Sequence, residues 1–106
     1  MLACVVAPAG RAVGIDIEPL SNANLSLADA HTWCTPRERT TRTSSSEDLA
    51  VLWTRKEAVV KMLGVGLARD VAEVDVMYRS VIIDGHSAIL TSRMTGGLAV
   101  SLAVAV

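Results

Sequence analysis

The sequence predicts an α+β domain in which a largely antiparallel sheet packs against one long helix and shorter helices. Three observations carry this. Strand-like apolar runs open and close the 106-residue chain. A single long segment of helical period lies between them, so strands are followed by helices and then by more strands. Hydrophobic residues make up 51% of the chain while Phe is absent, so the core is built from Val, Ala and Leu, as suits a sheet covered by helices.

Taken in order, Leu2 to Ala7 and Ala12 to Glu18 read as strands joined at Pro8-Ala9-Gly10-Arg11, a short connection that closes a hairpin. Pro19 stops the second strand, and the polar stretch Ser21 to Asn24 leads into Leu25 to Trp33, an apolar segment of helical character. Thr35-Pro36 has the form of a cap followed by proline at the first helical position, starting a short turn that carries Arg37, Glu38 and Arg39. The long helix spans about Ser45 to Leu63. Ser44 and Glu47 have capping-box spacing, Leu49, Leu52, Trp53, Val60 and Leu63 recur at helical intervals, and Gly64 follows. Val74 to Arg79 reads as a strand, Val81-Ile82-Ile83 and Ala88-Ile89-Leu90 flank the turn signal Asp84-Gly85, and Leu98 to Val106 closes the chain after Gly96-Gly97. The long helix is expected to lie across the sheet.

Composition narrows the function classes. The length suits a single domain over residues 1–106. With 10 Lys and Arg against 11 Asp and Glu and no basic run, nucleic acid is not an expected partner. Cys4 and Cys34 lack the spacing of a zinc site and read as reduced thiols of a cytoplasmic protein. The longest apolar stretch, Leu98 to Val106, is about half of what a membrane-spanning helix needs. Trp33 and Trp53 read as packing residues, and Met62, Met77 and Met94 as core gap fillers. Arg37, Arg39, Arg42 and Arg55 read either as a patch for an acidic partner or as solvated helix charge.

The chemistry concentrates in two places. On a strand, Asp16 and Glu18 share a face while Val13, Ile15 and Ile17 point the other way into apolar packing. Two such carboxylates repel by roughly 2 to 3 kcal/mol at an effective dielectric near 20, which a cation relieves. Glu57 lies on the long helix four residues after Trp53 and four before Lys61, so the three share one side. If that side meets the Asp16 strand, three carboxylates converge, and an oxygen-only set favours a hard cation, Mg²⁺ over Ca²⁺ where water and phosphate complete the shell. Spacing alone equally allows solvated acids on a strand and an ordinary Glu57–Lys61 helix pair.

Gly14-Ile15-Asp16-Ile17-Glu18 and Trp53-Thr54-Arg55-Lys56-Glu57-Ala58-Val59-Val60-Lys61 together resemble the two signatures of the 4′-phosphopantetheinyl transferases, Gly-[Ile/Val]-Asp-x-Glu and Trp-x-x-Lys-Glu-[Ala/Ser]-x-x-Lys. Gly64-Val65-Gly66-Leu67 resembles the Gly-x-Gly-Leu segment that follows in that family. The likeness runs from about Ala3 to the C-terminus, matches the second half of the larger, surfactin-synthetase-type members, includes Thr35-Pro36-Arg37-Glu38, and extends to holo-acyl-carrier-protein synthase. It implies Asp16, Glu18 and Glu57 as Mg²⁺ ligands. Lys61 would contact the phosphates of coenzyme A and protonate the departing 3′,5′-adenosine bisphosphate, and Lys56 would help to hold the cofactor or the helix. Gly64 and Gly66 would approach the cofactor, and Glu38 matches a family acid near the site.

The implied reaction is attack by a serine hydroxyl of an apo acyl or peptidyl carrier protein on the β-phosphate of coenzyme A, with Glu57 or Glu38 taking the serine proton through water. Large members carry an additional N-terminal half ending in a Ser-His motif that nothing here matches; neither His31 nor His86 stands in that place. The chain thus reads as a half-site whose N-terminal half is absent, and a homo-oligomer is expected to complete it. The alternatives are a truncated, non-catalytic module that binds coenzyme A or a carrier protein, and a structural domain whose acids never converge.

Overall fold

Strands β1 (Val13–Pro19), β2 (Ser80–Ile83), β3 (His86–Thr95) and β4 (Leu98–Ala105) form one antiparallel sheet in the order β1-β4-β3-β2. This is seen in a computed structural model that describes residues 10–21, 29–41, 45–64, 71–83 and 85–106, with backbone alone at His31 and Thr41. Gly96 and Gly97, at φ +55° and +75°, supply the two left-handed residues that a tight β3–β4 hairpin demands. Asp16 pairs in register with Ser101, and Ser101 with Ser92.

Helix α1 (Pro36–Thr41) is short and α2 (Ser46–Leu63) long, with single 3-10 turns at Ala30–Thr32 and Val71–Glu73. The cap of α2 is Ser45, whose hydroxyl accepts from the Asp48 N–H at 3.1 Å, one residue later than the Ser44–Glu47 spacing suggests. Ser44 itself lies outside the described residues, as do the Leu2 to Ala7 strand, Cys4, Arg42, Asp84 and Gly66. Of the helix expected over Leu25 to Trp33, the described end is a 3-10 turn instead.

One expectation fails outright: Val74 to Arg79 is not a strand. Over Val74 to Tyr78 its backbone groups are largely taken by charged side chains, and a ladder bond to β3 begins at Arg79, whose carbonyl accepts from the Leu90 N–H at 2.6 Å. Glu38 accepts from Val76 N–H, Asp75 from Met77 N–H, Lys56 donates to Val71 and Val74 carbonyls, and Arg55 to those of Val76 and Tyr78. With its polar groups satisfied this way, the segment has no need of a neighbouring strand.

Helix α2 lies on the sheet face that presents Gly14, Asp16, Ser101 and Ala103. Leu49, Leu52, Ala58, Val59 and Met62 of α2 form the core with Val74, Val76, Val81, Ile83 and Leu90. Trp33 meets Trp53 edge to face at 5.2 Å between centroids. Burial and the nearby Glu38 push the Cys34 thiol up to about 11, which makes it an inert packing residue. The opposite sheet face carries Val13, Ile15, Ile17, Val100, Leu102 and Val104, all only half-buried. These β1 residues do turn away from the acids, but the helix sits on the acids' own side. Among the described residues no helix is long and apolar enough to cross a membrane.

Candidate active site

The site is built where α2 crosses β1. The contact is close because Gly14 has no side chain: a Cβ there would overlap Ala58 O and Met62 N of the helix backbone. Two residues further along the same face, Asp16 Oδ1 accepts from Lys61 Nζ at 2.7 Å. Asp16 is 7% exposed, and its Oδ2 is buried without a hydrogen-bond partner. The Lys61 side chain, in contrast, is 51% exposed.

Glu57 stands one turn before Lys61. Burial raises its carboxyl above the ordinary value, the charge of Asp16 raises it further, Lys61 opposes the shift, and Glu18 adds to it. The Lys61 ammonium is shifted upward, first by its hydrogen bond to Asp16, against the effect of burial, and then by the charges of Asp16, Glu57 and Glu18. Asp16, Glu18, Glu57 and Lys61 therefore share one electrostatic environment. Among the described residues no three His, Cys, Asp or Glu side chains stand close enough together to hold an ion in this arrangement. The donor chemistry nonetheless fits a hard cation: carboxylate oxygens, one of them buried and unsatisfied.

A carboxyl with a raised pKa holds its proton more tightly in the folded chain than in the unfolded one, so it works against the fold as pH climbs through and above the ordinary carboxylate range. Glu57→Gln is accordingly expected to raise the thermal midpoint by a few degrees at pH 7 without added metal. The gain should vanish below about pH 4, where both states are protonated. Melting curves at the two pH values check this.

Glu38 and Lys56 are not brought to that place. Thr35 and Glu38 cap α1 reciprocally: the Glu38 N–H donates to Thr35 Oγ1 at 3.2 Å and the Thr35 N–H to Glu38 Oε1 at 2.8 Å. Glu38 also takes Lys56 Nζ at 2.7 Å on Oε1 and the Val76 N–H at 2.8 Å on Oε2. Lys56 commits its remaining donors to Val71 and Val74 carbonyls at 2.6 and 2.9 Å. Both side chains are enclosed, at 0% and 1% exposed, and neither is among the charges that shift Glu57 or Lys61. Lys56 holds the helix, joining α2 to α1 and to the 71–76 segment.

A second polar chain was not foreseen. Thr54 Oγ1 donates to the Val51 carbonyl at 2.7 Å and meets Ser101 Oγ at 2.7 Å; Ser101 meets Ser92 Oγ at 2.8 Å, and Arg55 Nη1 donates to Ser92 at 2.8 Å. Since the Thr54 proton is committed to Val51, the hydroxyls run one way: Arg55 to Ser92 to Ser101 to Thr54 to Val51. The sequence signal was Ser101, the single hydroxyl of the apolar run Leu98 to Val106. Arg55 is thereby removed from the arginine patch, and Arg37 stacks over Tyr78 at 4.5 Å.

Gly64, at φ +78°, ends α2 beside Lys61, its N–H donating to the Lys61 carbonyl at 3.2 Å. A cleft of about 750 Å³ opens at the other end of the helix, lined in part by Glu47, Asp48, Val51, Arg79 and Met94, and none of the four site residues lines it.

An acid-bearing strand crossed by a helix that delivers a glutamate and a lysine one turn apart defines a family here: the chain belongs to the 4′-phosphopantetheinyl transferase superfamily, whose model matches residues 12–90. The fold is that of solved holo-(acyl-carrier-protein) synthases. The Bacillus anthracis synthase, in complex with coenzyme A (3′,5′-ADP), superposes with a TM-score of 0.68 at 20% identity, covering 89% of this chain and 94% of that one. The Thermotoga maritima synthase gives 0.67 at 22% identity over 89% of this chain, which spans only 62% of its length. The Mycobacterium tuberculosis synthase gives 0.61 at 22%, covering 90% of this chain and 96% of that one. No curated protein matches the chain significantly.

Proposed function

We propose that this protein transfers the 4′-phosphopantetheine arm of coenzyme A to a serine of an acyl or peptidyl carrier protein, with Mg²⁺ as cofactor. The observation that carries this reading is the contact of Lys61 with Asp16 at 2.7 Å where α2 crosses β1, with Glu57 and Glu18 near enough to act on the same lysine, in a member of that superfamily. Asp16, Glu18 and Glu57 are the residues that would hold Mg²⁺, which supplies positive charge against the pyrophosphate.

The serine oxygen forms the new bond to the β-phosphorus, the anhydride bond to the departing 3′,5′-adenosine bisphosphate breaks, and the serine proton passes through water to a carboxylate. Glu57, which shares its surroundings with Asp16 and Lys61, is the carboxylate this role falls to. Glu38, with both oxygens enclosed, lends it no support. Lys61 would meet the phosphates and protonate the leaving group, a role that its half-exposed ammonium supports.

A second copy of the chain would complete the site, in keeping with the half-site that the two signatures describe.

The test incubates the chain with coenzyme A, Mg²⁺ and apo carrier proteins and weighs the carriers, with sedimentation of the same sample. The expected result is a carrier heavier by the phosphopantetheine arm, produced by an oligomer. Asp16→Asn should slow it at least about a hundredfold. Unchanged mass across several carriers would sink the transferase reading, and coenzyme A binding without transfer would identify a binding module.

A further inference from the structure

The Lys61–Asp16 pair leaves the acid half-satisfied. Asp16 is more than nine-tenths buried, yet the ammonium reaches only Oδ1 at 2.7 Å, and Oδ2 has no partner. A buried acceptor without a donor costs free energy. The lysine side is loosely held: Lys61 is half-exposed at the C-terminal end of α2, on a flexible stem, so its ammonium passes readily to water and the cost of parting falls on the buried carboxylate. Glu57 and Glu18 add negative charge around the same point.

A divalent cation carries twice the charge and binds several carboxylate oxygens at once, so it does what Lys61 does for Asp16 and more. We propose that Lys61 is the resident counter-ion of this site, displaced from Asp16 by the divalent cation and only then delivered to the phosphates of the anionic co-substrate. Loading is thereby ordered, cation before phosphate. The step exchanges one cation for another on Asp16 and breaks no covalent bond. It rests on the reading of Asp16, Glu18 and Glu57 as a cation site.

The test titrates the full chain with Mn²⁺ in the absence of any co-substrate, following unbound Mn²⁺ by electron paramagnetic resonance. Lys61→Met is expected to bind Mn²⁺ at least about fivefold more tightly than wild type, the factor that corresponds to a surface ion pair removed from competition, with the burial of Asp16 adding to it. Lys61→Arg should behave like wild type, and Asp16→Asn should lose binding. In wild type, the Lys61 side-chain amine resonance should move towards that of an exposed lysine as Mg²⁺ is added.

If Lys61→Met binds Mn²⁺ no more tightly than wild type, or the Lys61 resonance stays in place at saturating Mg²⁺, the exchange is overturned. Should that happen while Asp16→Asn still abolishes binding, the cation site stands without the exchange. If no form of the chain binds Mn²⁺, exchange and cation site fall together, whereas transfer of the arm is scored separately by carrier mass.

Discussion

Lys56→Met is expected to cost about 3–5 kcal/mol, a large share of the roughly 5–15 kcal/mol that holds a small domain together. The substitution keeps most of the volume but removes the positive charge from Glu38, which is fully buried, and leaves the Val71 and Val74 carbonyls without their donor. A urea titration should show the midpoint fall sharply. Adding Glu38→Met is expected to recover only part of the loss, although buried pairs replaced by apolar residues are often tolerated. Glu38 also accepts the Thr35 and Val76 N–H groups, and the double variant orphans both. Full recovery in the double variant would show that the pair acts only on itself.

The second large effect is steric. Gly14→Ala should destabilise the protein by about 3 kcal/mol, the upper range for inserted bulk that cannot be repacked, because the new methyl meets the backbone of Ala58 and Met62 rather than the movable end of a side chain. Gly96→Ala makes a useful contrast. Its φ of +55° is strained for alanine, yet nothing lies within 4 Å of an added Cβ, so about 1–2 kcal/mol is expected. Thermal melts of the two variants compare a clash with a backbone strain. Gly14→Ala should in addition push β1 off α2 and lengthen the Asp16–Lys61 contact, so Mn²⁺ binding should change with it and stay unaltered in Gly96→Ala.

What could be read from the sequence followed the elements whose side-chain pattern matches their backbone. Helix α2 declared itself through its period, an N-terminal serine and Gly64, and the strands through β-branched runs and glycine turns. Asp16, Glu57 and Lys61 were legible because strand alternation and helical spacing fix which residues share a side; that the two sides meet was not. Gly14 decides that meeting, and nothing about a glycine in a strand announces which helix backbone lies over it. The 74–79 segment departs from its strand-like sequence for a related reason. Val74, Val76 and Met77 have a strand's composition, but the ladder they would form is replaced by Arg55, Lys56 and Glu38, which come from far along the chain. For the same reason β3 runs on to Thr95 through polar residues that carry no alternating apolar signal, held by pairing with β4.

The one-way hydroxyl chain under α2 acts as a key for alignment. A core of Ala, Val and Leu offers many nearly equal ways for a helix to settle on a sheet, since small apolar surfaces slide past one another at little cost. Thr54 meets Ser101, and Ser101 is the residue that faces Asp16 across the β1–β4 ladder. A slip of α2 by one turn, about 5.4 Å, would part those hydroxyls inside an aliphatic layer and carry Glu57 and Lys61 past the acids of β1 by the same distance. Two buried hydroxyls thus convert a slippery contact into a single seating, and Glu57 and Lys61, about one and two turns further along α2, inherit their alignment from it.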